Sequence, residues 1–163
     1  MTQADIRAAL SDRQALLCTL YGEAAGEPLD GQIAVATAIR NRVLADLGSD
    51  GKPDWWGEGF HDVCLASWQF SCWWEANSPN TARVYALAES LVTPAPQLTA
   101  DQALVLRLGW IADGVITDAA PDLTRGATHY VTLALLKAAP PKWSVGLTPC
   151  AVIGNHAFFR GVA

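Results

Sequence analysis

The sequence has few basic residues, little charge overall and no long hydrophobic run. Three Lys and eight Arg stand against 16 Asp and Glu among 163 residues, which gives a formal charge of -5. Nucleic-acid-binding domains normally carry a basic face, so the composition strongly disfavours that class. The apolar stretches are too short and too interrupted to span a bilayer, and we expect no stable membrane insertion.

Motifs for cofactors and metals are also missing. The sequence contains no phosphate-binding glycine loop, no dinucleotide fingerprint and no nucleophile-elbow serine. Cys18, Cys64, Cys72 and Cys150 lack metal-ligand spacing and are predicted to be free thiols in the core, although Cys64 and Cys72 could pair in an oxidising compartment. We therefore predict no cofactor and no metal.

The first residues and the composition of the sequence predict where the chain is made and how many domains it forms. The first 14 residues contain neither a basic segment nor an apolar run, which predicts no signal peptide and synthesis in the cytoplasm. With 51% hydrophobic and 17% charged residues, residues 1–163 suit a single folded domain. We expect that domain to be a monomer.

Helical periodicity and helix-start signals predict four helices before Gly114. The signals are a Ser11–Gln14 capping box with a stop near Gly26, Pro28 in a first turn, Ser78 before Pro79, and a Thr99–Gln102 capping box. Turn-forming residues at positions 48–59 predict an exposed loop.

The last third of the chain loses this periodicity. Segments 127–131 and 150–160 are predicted to be short strands, separated by Pro140, Pro141 and Gly146. The predicted fold class is α+β and mainly α, with a small irregular β-rich C-terminal part.

Five of the seven Trp fall within twenty positions, namely Trp55, Trp56, Trp68, Trp73 and Trp74. Core packing explains any one of them. Five in one loop-like segment are hard to bury together, so we expect some to line a groove. Flat aromatic faces suit sugar rings, and equally peptides or bases.

Glu23 is one of only five Glu and lies at the end of an apolar helix. Apolar surroundings favour the neutral carboxyl, which is the form that a general acid for glycosidic cleavage requires. The alternative is a helix-end Glu bonded to nearby backbone. Glu27 follows four residues later, but Gly26 and Pro28 interrupt the helix, so we expect Glu27 to complement the next helix's N-terminus rather than to pair with Glu23.

His129 and His156 lie in the C-terminal third and could ligate a metal together with Cys or Asp neighbours. No HExxH, HxH or CxxC spacing supports this. A zinc-dependent peptidoglycan amidase or peptidase using both His stays open as an alternative. A non-catalytic sugar-binding module built on the Trp cluster is another.

Four ordered blocks resemble the SleB-like cell-wall hydrolases, a family of spore-cortex-lytic enzymes and phage endolysins. The first block comprises residues 20–27 and 31–36 together with Asn41–Val43, and the second comprises residues 68–73. The third comprises residues 126–130 together with Trp143, and the fourth comprises residues 153–156 and 158–160. Ala157 stands where the family often has Arg, and Val131 and Thr132 stand where it often has Asn-Pro.

The resemblance implies a lysozyme-like helical domain that cuts peptidoglycan glycan strands between N-acetylmuramic acid and N-acetylglucosamine, usually by lytic transglycosylation. Its catalytic Glu corresponds to Glu23, with Glu27 and Trp73 as supporting residues. The substrate-binding residues that it implies are Gln69, Phe70, Ser71, Thr128, His129, Tyr130, Trp143, Asn155 and His156. For a chain without a signal peptide it implies a phage-type endolysin, which reaches the wall through a pore or from a phage-like particle.

Overall fold

The computed structural model describes residues 1–45, 56–93 and 101–162. Within these ranges the chain forms helices and three short strands. The helices are α1 (Gln3–Ala9), α2 (Asp12–Glu23), α3 (Leu29–Leu44), α4 (Phe60–Leu65), α5 (Ser71–Trp74), α6 (Pro79–Val92), α7 (Gln102–Ile116) and α8 (Leu133–Ala138), with a 3₁₀ turn at Lys142–Ser144. The strands are β1 (His129–Thr132), β2 (Ala151–Ile153) and β3 (His156–Phe159).

Helix α2 is the centre of the core. Residues 15–21 are all buried, and the helix contacts α3, α4, α5, α6 and α7. A helix that is buried on every side is a core helix rather than a surface helix, and burying a side chain such as Leu16 contributes about 1.5–3 kcal/mol. Because α2 ends at Glu23, the core fixes the position of that carboxyl group.

The local start signals explain most of the long helices. Ser11 and Gln14 form the predicted capping box, and Ser78 caps α6 with Pro79 in its first turn. Pro28 lies one position outside α3, as its N-cap residue.

The Thr99 prediction is wrong. Asp101 is the N-cap residue of α7, and its Oδ1 accepts hydrogen bonds from the backbone of Ala103 and Leu104. An Asp directly before a helix satisfies these free N–H groups well. Thr99 itself, like Trp55 and most of the predicted loop 48–59, lies outside the described residues.

The three strands form an antiparallel sheet in the order β1-β3-β2, with Tyr130 opposite Phe158. Gly154 and Asn155 connect β2 to β3 in a two-residue turn. Short helices that the periodicity did not predict, α1 and α8 among them, flank the larger elements. The predicted fold class is confirmed.

The sheet separates a small apolar cluster from the main core. Phe158 packs into the main core and Tyr130 packs against it. Val131, Ala157 and Phe159 form a separate cluster with Trp143. The sheet therefore carries Tyr130 to the end of α2.

The cysteines and the apolarity of the helices can be compared with the sequence predictions. All four cysteines are free thiols, and Cys18, Cys64 and Cys72 are buried. No helix in the described ranges combines the length and the apolarity that a membrane crossing needs.

Candidate active site

A cleft of about 380 Å³ lies between the end of α2, the residues around the start of α5, and β1. Glu23 is the one carboxylate among the described residues that line it. The lining residues are Glu23, Arg42, Trp68, Gln69, Phe70, Ser71, Tyr130, Val131, Thr132, Leu135, Pro141, Trp143 and His156. Of the site residues that the sequence predicts, the structure brings together in this lining Glu23, Gln69, Phe70, Ser71, Tyr130, Trp143 and His156.

Glu23 is half-buried and is held by two donors. The backbone N–H of Cys72 donates to Oε1 at 3.4 Å, and the Tyr130 hydroxyl donates to Oε2 at 3.4 Å. Burial raises the pKa of Tyr130 well above its usual value, and the nearby Glu23 carboxylate raises it further. Tyr130 therefore remains a hydrogen-bond donor at neutral pH.

Arg42 lines the cleft and is 6% exposed. Its Nε donates to the Thr128 carbonyl at 2.6 Å, and one of its terminal nitrogens donates to Gln69 Oε1 at 3.2 Å. The guanidinium also lies over the rings of Phe70 and Trp56, at 5.0 and 5.7 Å. Burial lowers the pKa of Arg42, but a guanidinium stays charged in proteins. Arg42 thus fixes Gln69 and supplies a positive charge beside Glu23.

Glu27 has a structural position beside the cleft. Its Oε2 accepts from the backbone N–H of Asn155 at 2.9 Å, and its Oε1 accepts from the Asn155 side chain at 3.2 Å. Its side chain is 9% exposed, and Glu27 does not line the cleft. The expected interruption between Glu23 and Glu27 is confirmed. Glu27 anchors the β2–β3 turn, and its Oε2 also lies beside the first turn of α3, 2.9 Å from where a Cβ at Gly31 would stand.

His156 is buried behind Tyr130. The two rings meet edge to face, with centroids 5.3 Å apart. His156 Nδ1 lies 3.5 Å from Glu27 Oε1, within ion-pair distance but without hydrogen-bond geometry. Burial lowers the pKa of His156 and outweighs the opposite effect of Glu27, so the ring is neutral at pH 7.

His129 is half-buried and is not among the described residues that line the cleft, so its predicted contact with substrate stays a prediction. Its ring packs between Trp56 and Trp143, with centroids at 5.6 and 5.0 Å, and its Nδ1 contacts the Thr128 hydroxyl at 3.0 Å. Strand alternation explains why Tyr130 lines the cleft and His129 does not, because the two are neighbours on one strand and point to opposite faces. Thr128, like Asn155, lies outside the cleft lining.

The Trp cluster divides between core and surface. Trp73 is 1% exposed and its indole N–H donates to the Thr19 hydroxyl at 2.9 Å, so it belongs to the core rather than to a supporting position in the cleft. Trp56 is also buried. Trp68 lines the cleft and is 82% exposed.

Sequence reasoning missed Arg42 and Trp68 as site residues. Arg42 had a signal, because it falls in one of the recognised blocks, Asn41–Val43. Trp68 had only its place beside Gln69, since nothing in a sequence distinguishes the exposed Trp of a cluster from the buried ones.

The described residues contain no group of three His, Cys, Asp or Glu side chains placed to hold a metal ion. His129 contacts Trp56 and Trp143, whereas His156 contacts Tyr130 and Phe158. This arrangement gives no support to the zinc alternative.

Enzymes that cleave polysaccharides use side-chain carboxyl groups beside the scissile bond, and this cleft offers one, Glu23, between aromatic side chains. Residues 26–159 match the model of the cell wall hydrolase family, and the chain belongs to that family. The match begins three residues after Glu23, so it does not itself cover this residue. The predictions of a SleB-like protein and of an enzyme acting on the cell wall are confirmed.

Two solved structures are similar in fold. One is the catalytic domain of the germination-specific lytic transglycosylase SleB from Bacillus anthracis, with a TM-score of 0.57 and 23% identity over 91% of this chain and 93% of that chain. The other is the catalytic domain of the Bacillus cereus SleB protein, with a TM-score of 0.55 and 23% identity over 91% and 89%. No curated protein sequence matches the chain.

Proposed function

We propose that this enzyme cleaves the glycan strand of peptidoglycan between N-acetylmuramic acid and N-acetylglucosamine, as a single-domain monomer and by lytic transglycosylation. The observation that carries the proposal is the cleft with one carboxyl group, Glu23, held by Tyr130 and the Cys72 backbone. The similarity in fold to a lytic transglycosylase supports it.

In the proposed mechanism, Glu23 acts first as general acid and then as general base. It donates its proton to the glycosidic oxygen while the bond from that oxygen to muramic C1 breaks, and the N-acetyl carbonyl of the same sugar assists at C1. The Glu23 carboxylate then takes the proton of the sugar's own C6 hydroxyl as the C6 oxygen bonds to C1. The products are a 1,6-anhydromuramic end and a free N-acetylglucosamine end, and Glu23 is protonated again.

The placement of Glu27 favours this cycle over hydrolysis. An inverting glycosidase needs a second carboxylate to activate water, and a retaining one needs it as nucleophile. Glu27 is the nearest such residue in sequence, but both of its oxygens bond to Asn155 outside the cleft. Transglycosylation needs one carboxyl group only, because the same group acts as acid and then as base.

The test combines a variant with product analysis. Removing a general acid costs about 10²–10⁴ in rate, so we expect Glu23→Gln to lose glycan cleavage while its melting temperature stays close to that of the parent. Glu58→Gln, at an exposed position outside the cleft, is the matched control and should retain activity. A folded Glu23→Gln protein with most of its activity would remove Glu23 from the mechanism.

Mass spectrometry of the fragments released from purified peptidoglycan distinguishes the reactions. We expect anhydromuramic ends, which are lighter by one water than hydrolytic ends. Hydrolytic ends would show a muramidase. Free stem peptides, with loss of activity in a chelator, would show the zinc amidase, and binding without release would show a sugar-binding module.

The place of action is a further part of the proposal. Peptidoglycan lies outside the inner membrane, so we propose that the enzyme acts there after release through a pore or from a phage-like particle, as a phage-type endolysin does. Cytoplasmic expression is then expected to be tolerated until a pore former is added. Rapid lysis without a pore former would contradict this placement.

A further inference from the structure

An exposed aromatic shelf adjoins the cleft. The shelf consists of Trp68 and Trp74 with Ser71 and Glu75, which together line a groove of about 420 Å³. The two indole rings have centroids 6.4 Å apart and are tilted by 40°. Trp68 and Ser71 also line the cleft that holds Glu23, so the groove and the cleft form one continuous surface.

The backbone at Trp68 is in an unfavourable conformation. Its φ of +66° lies in the left-handed region, which is uncommon for a bulky residue. The residue is 82% exposed, so burial in the core contributes little to offset the strain. Strained residues that the core does not require are characteristic of functional sites.

Trp74 is fixed in place on the other side of the shelf. Its indole N–H donates to the Ala66 carbonyl at 3.2 Å, and the Arg7 guanidinium lies 4.6 Å from the ring centroid. A ring that is already ordered loses little conformational entropy when a ligand binds.

We propose that the shelf is a distal sugar-binding subsite, which takes an N-acetylhexosamine ring of the same glycan strand beyond the sugars that flank the scissile bond. The inference rests on the proposed function, because it assumes that the cleft holds a glycan strand. The apolar face of a sugar ring stacks on Trp68 and Trp74. Ser71 and Glu75, both exposed and lining the same groove, supply hydrogen-bond partners for hydroxyl and N-acetyl N–H groups.

The first test is an NMR titration of the Glu23→Gln protein with a peptide-free N-acetylglucosamine tetramer. We expect the indole N–H signals of Trp68 and Trp74 to shift, and to shift less with the dimer, which is too short to fill cleft and shelf together. Trp110, which is 77% exposed on α7 and lines neither cavity, is the internal control. The subsite is refuted if the Trp74 signal stays unmoved at saturation, if Trp110 shifts equally, or if a free stem peptide moves the shelf signals instead.

The second test separates binding from folding. In the Glu23→Gln background, Trp68→Gly should weaken tetramer binding by roughly tenfold or more, the scale of burying one large apolar side chain. Its melting temperature should equal or exceed that of the parent, because glycine relieves the positive φ. Trp68→Asn, which also tolerates this conformation, should behave alike, and Trp110→Ala should bind as the parent does.

Unchanged affinity of both Trp68 variants would overturn the subsite. A fall in melting temperature of both variants would instead show that Trp68 serves the fold. Neither result depends on cleavage, so the subsite proposal can be refuted while the catalytic role of Glu23 stands. Likewise, an active Glu23→Gln protein would refute the catalytic role of Glu23 and leave the measured tetramer binding to the shelf unaffected.

Discussion

Tyr130 and the Cys72 backbone hold Glu23 in different ways. The backbone N–H is fixed by the start of α5, whereas the Tyr130 hydroxyl belongs to a side chain that also packs against His156 and Phe158. Tyr130 therefore has two separable roles. Its ring contributes to packing, and its hydroxyl orients the carboxyl group.

Tyr130→Phe removes only the second role. A net hydrogen bond is worth about 0.5–1.5 kcal/mol, so we expect kcat for glycan release to fall by roughly 2- to 12-fold. The melting temperature should change little, because the ring remains. Tyr85→Phe is the control, since its hydroxyl lies away from Glu23, where it donates to the Trp73 carbonyl and accepts from Arg7. Tyr85→Phe should have a lower melting temperature and an unchanged specific activity. The same pattern in Tyr130→Phe would show that the Tyr130 hydroxyl has a structural role only.

Much of the candidate site could be read from single residues. Glu23, Gln69 and Tyr130 fall in recognisable blocks and meet in one cleft. His129 could not be placed in this way, because which face of β1 points to the cleft depends on how β1 pairs with β3. For the same reason the role of Glu27 as an anchor for Asn155, 128 residues away, has no local signal.

At the scale of elements, the capping residues in the sequence predict where α2 and α6 begin. Capping groups act within three residues, so they leave a signature in the sequence. The short elements α4, α5 and α8 have four to six residues each, too few for a helical period to show. Helices of that length depend on tertiary packing for their stability.

The turn between β2 and β3 depends on one glycine. Gly154 has a φ of +57°, and a Cβ there would lie 2.2 Å from Glu27 Oε2. Gly146 is the matched control, with a φ of +80° and open space around it. Gly146→Ala should cost about 1 kcal/mol or slightly more from the backbone alone.

Gly154→Ala combines that strain with a collision, so we expect a clearly larger loss in urea unfolding and a lower cleavage rate as the anchor of Asn155 is disturbed. Equal losses of stability in the two variants would show that Glu27 moves aside without cost. The anchoring role of the Glu27–Asn155 contact would then be wrong.

At the scale of the whole molecule, neutral histidines join the sheet to the helical part. Burial, together with the positive Arg42, lowers the pKa of His129 to about 4 from its usual 6.5. Burial also lowers the pKa of His156. Both rings pack against aromatic residues around the cleft, so protonating either one places a charge inside the contact between these parts.

Stability is therefore expected to depend on pH in mildly acidic solution. Between pH 6.5 and about 4 the unfolded chain binds a proton at His129 that the folded protein does not bind, so the free energy of unfolding rises with pH across this range. The full contribution is present above pH 6.5 and is lost as the pH falls toward 4.

His129→Phe keeps a ring between Trp56 and Trp143 but cannot be protonated, so its melting temperature should fall less on acidification. Trp110→Phe, at an exposed position on α7 outside the cleft lining, should retain the parent's dependence. If the melting temperature of His129→Phe depends on pH as that of the parent does, His129 is not the group whose protonation weakens the contact between sheet and helices. The pH dependence of stability would then come from His156 or from the carboxylates.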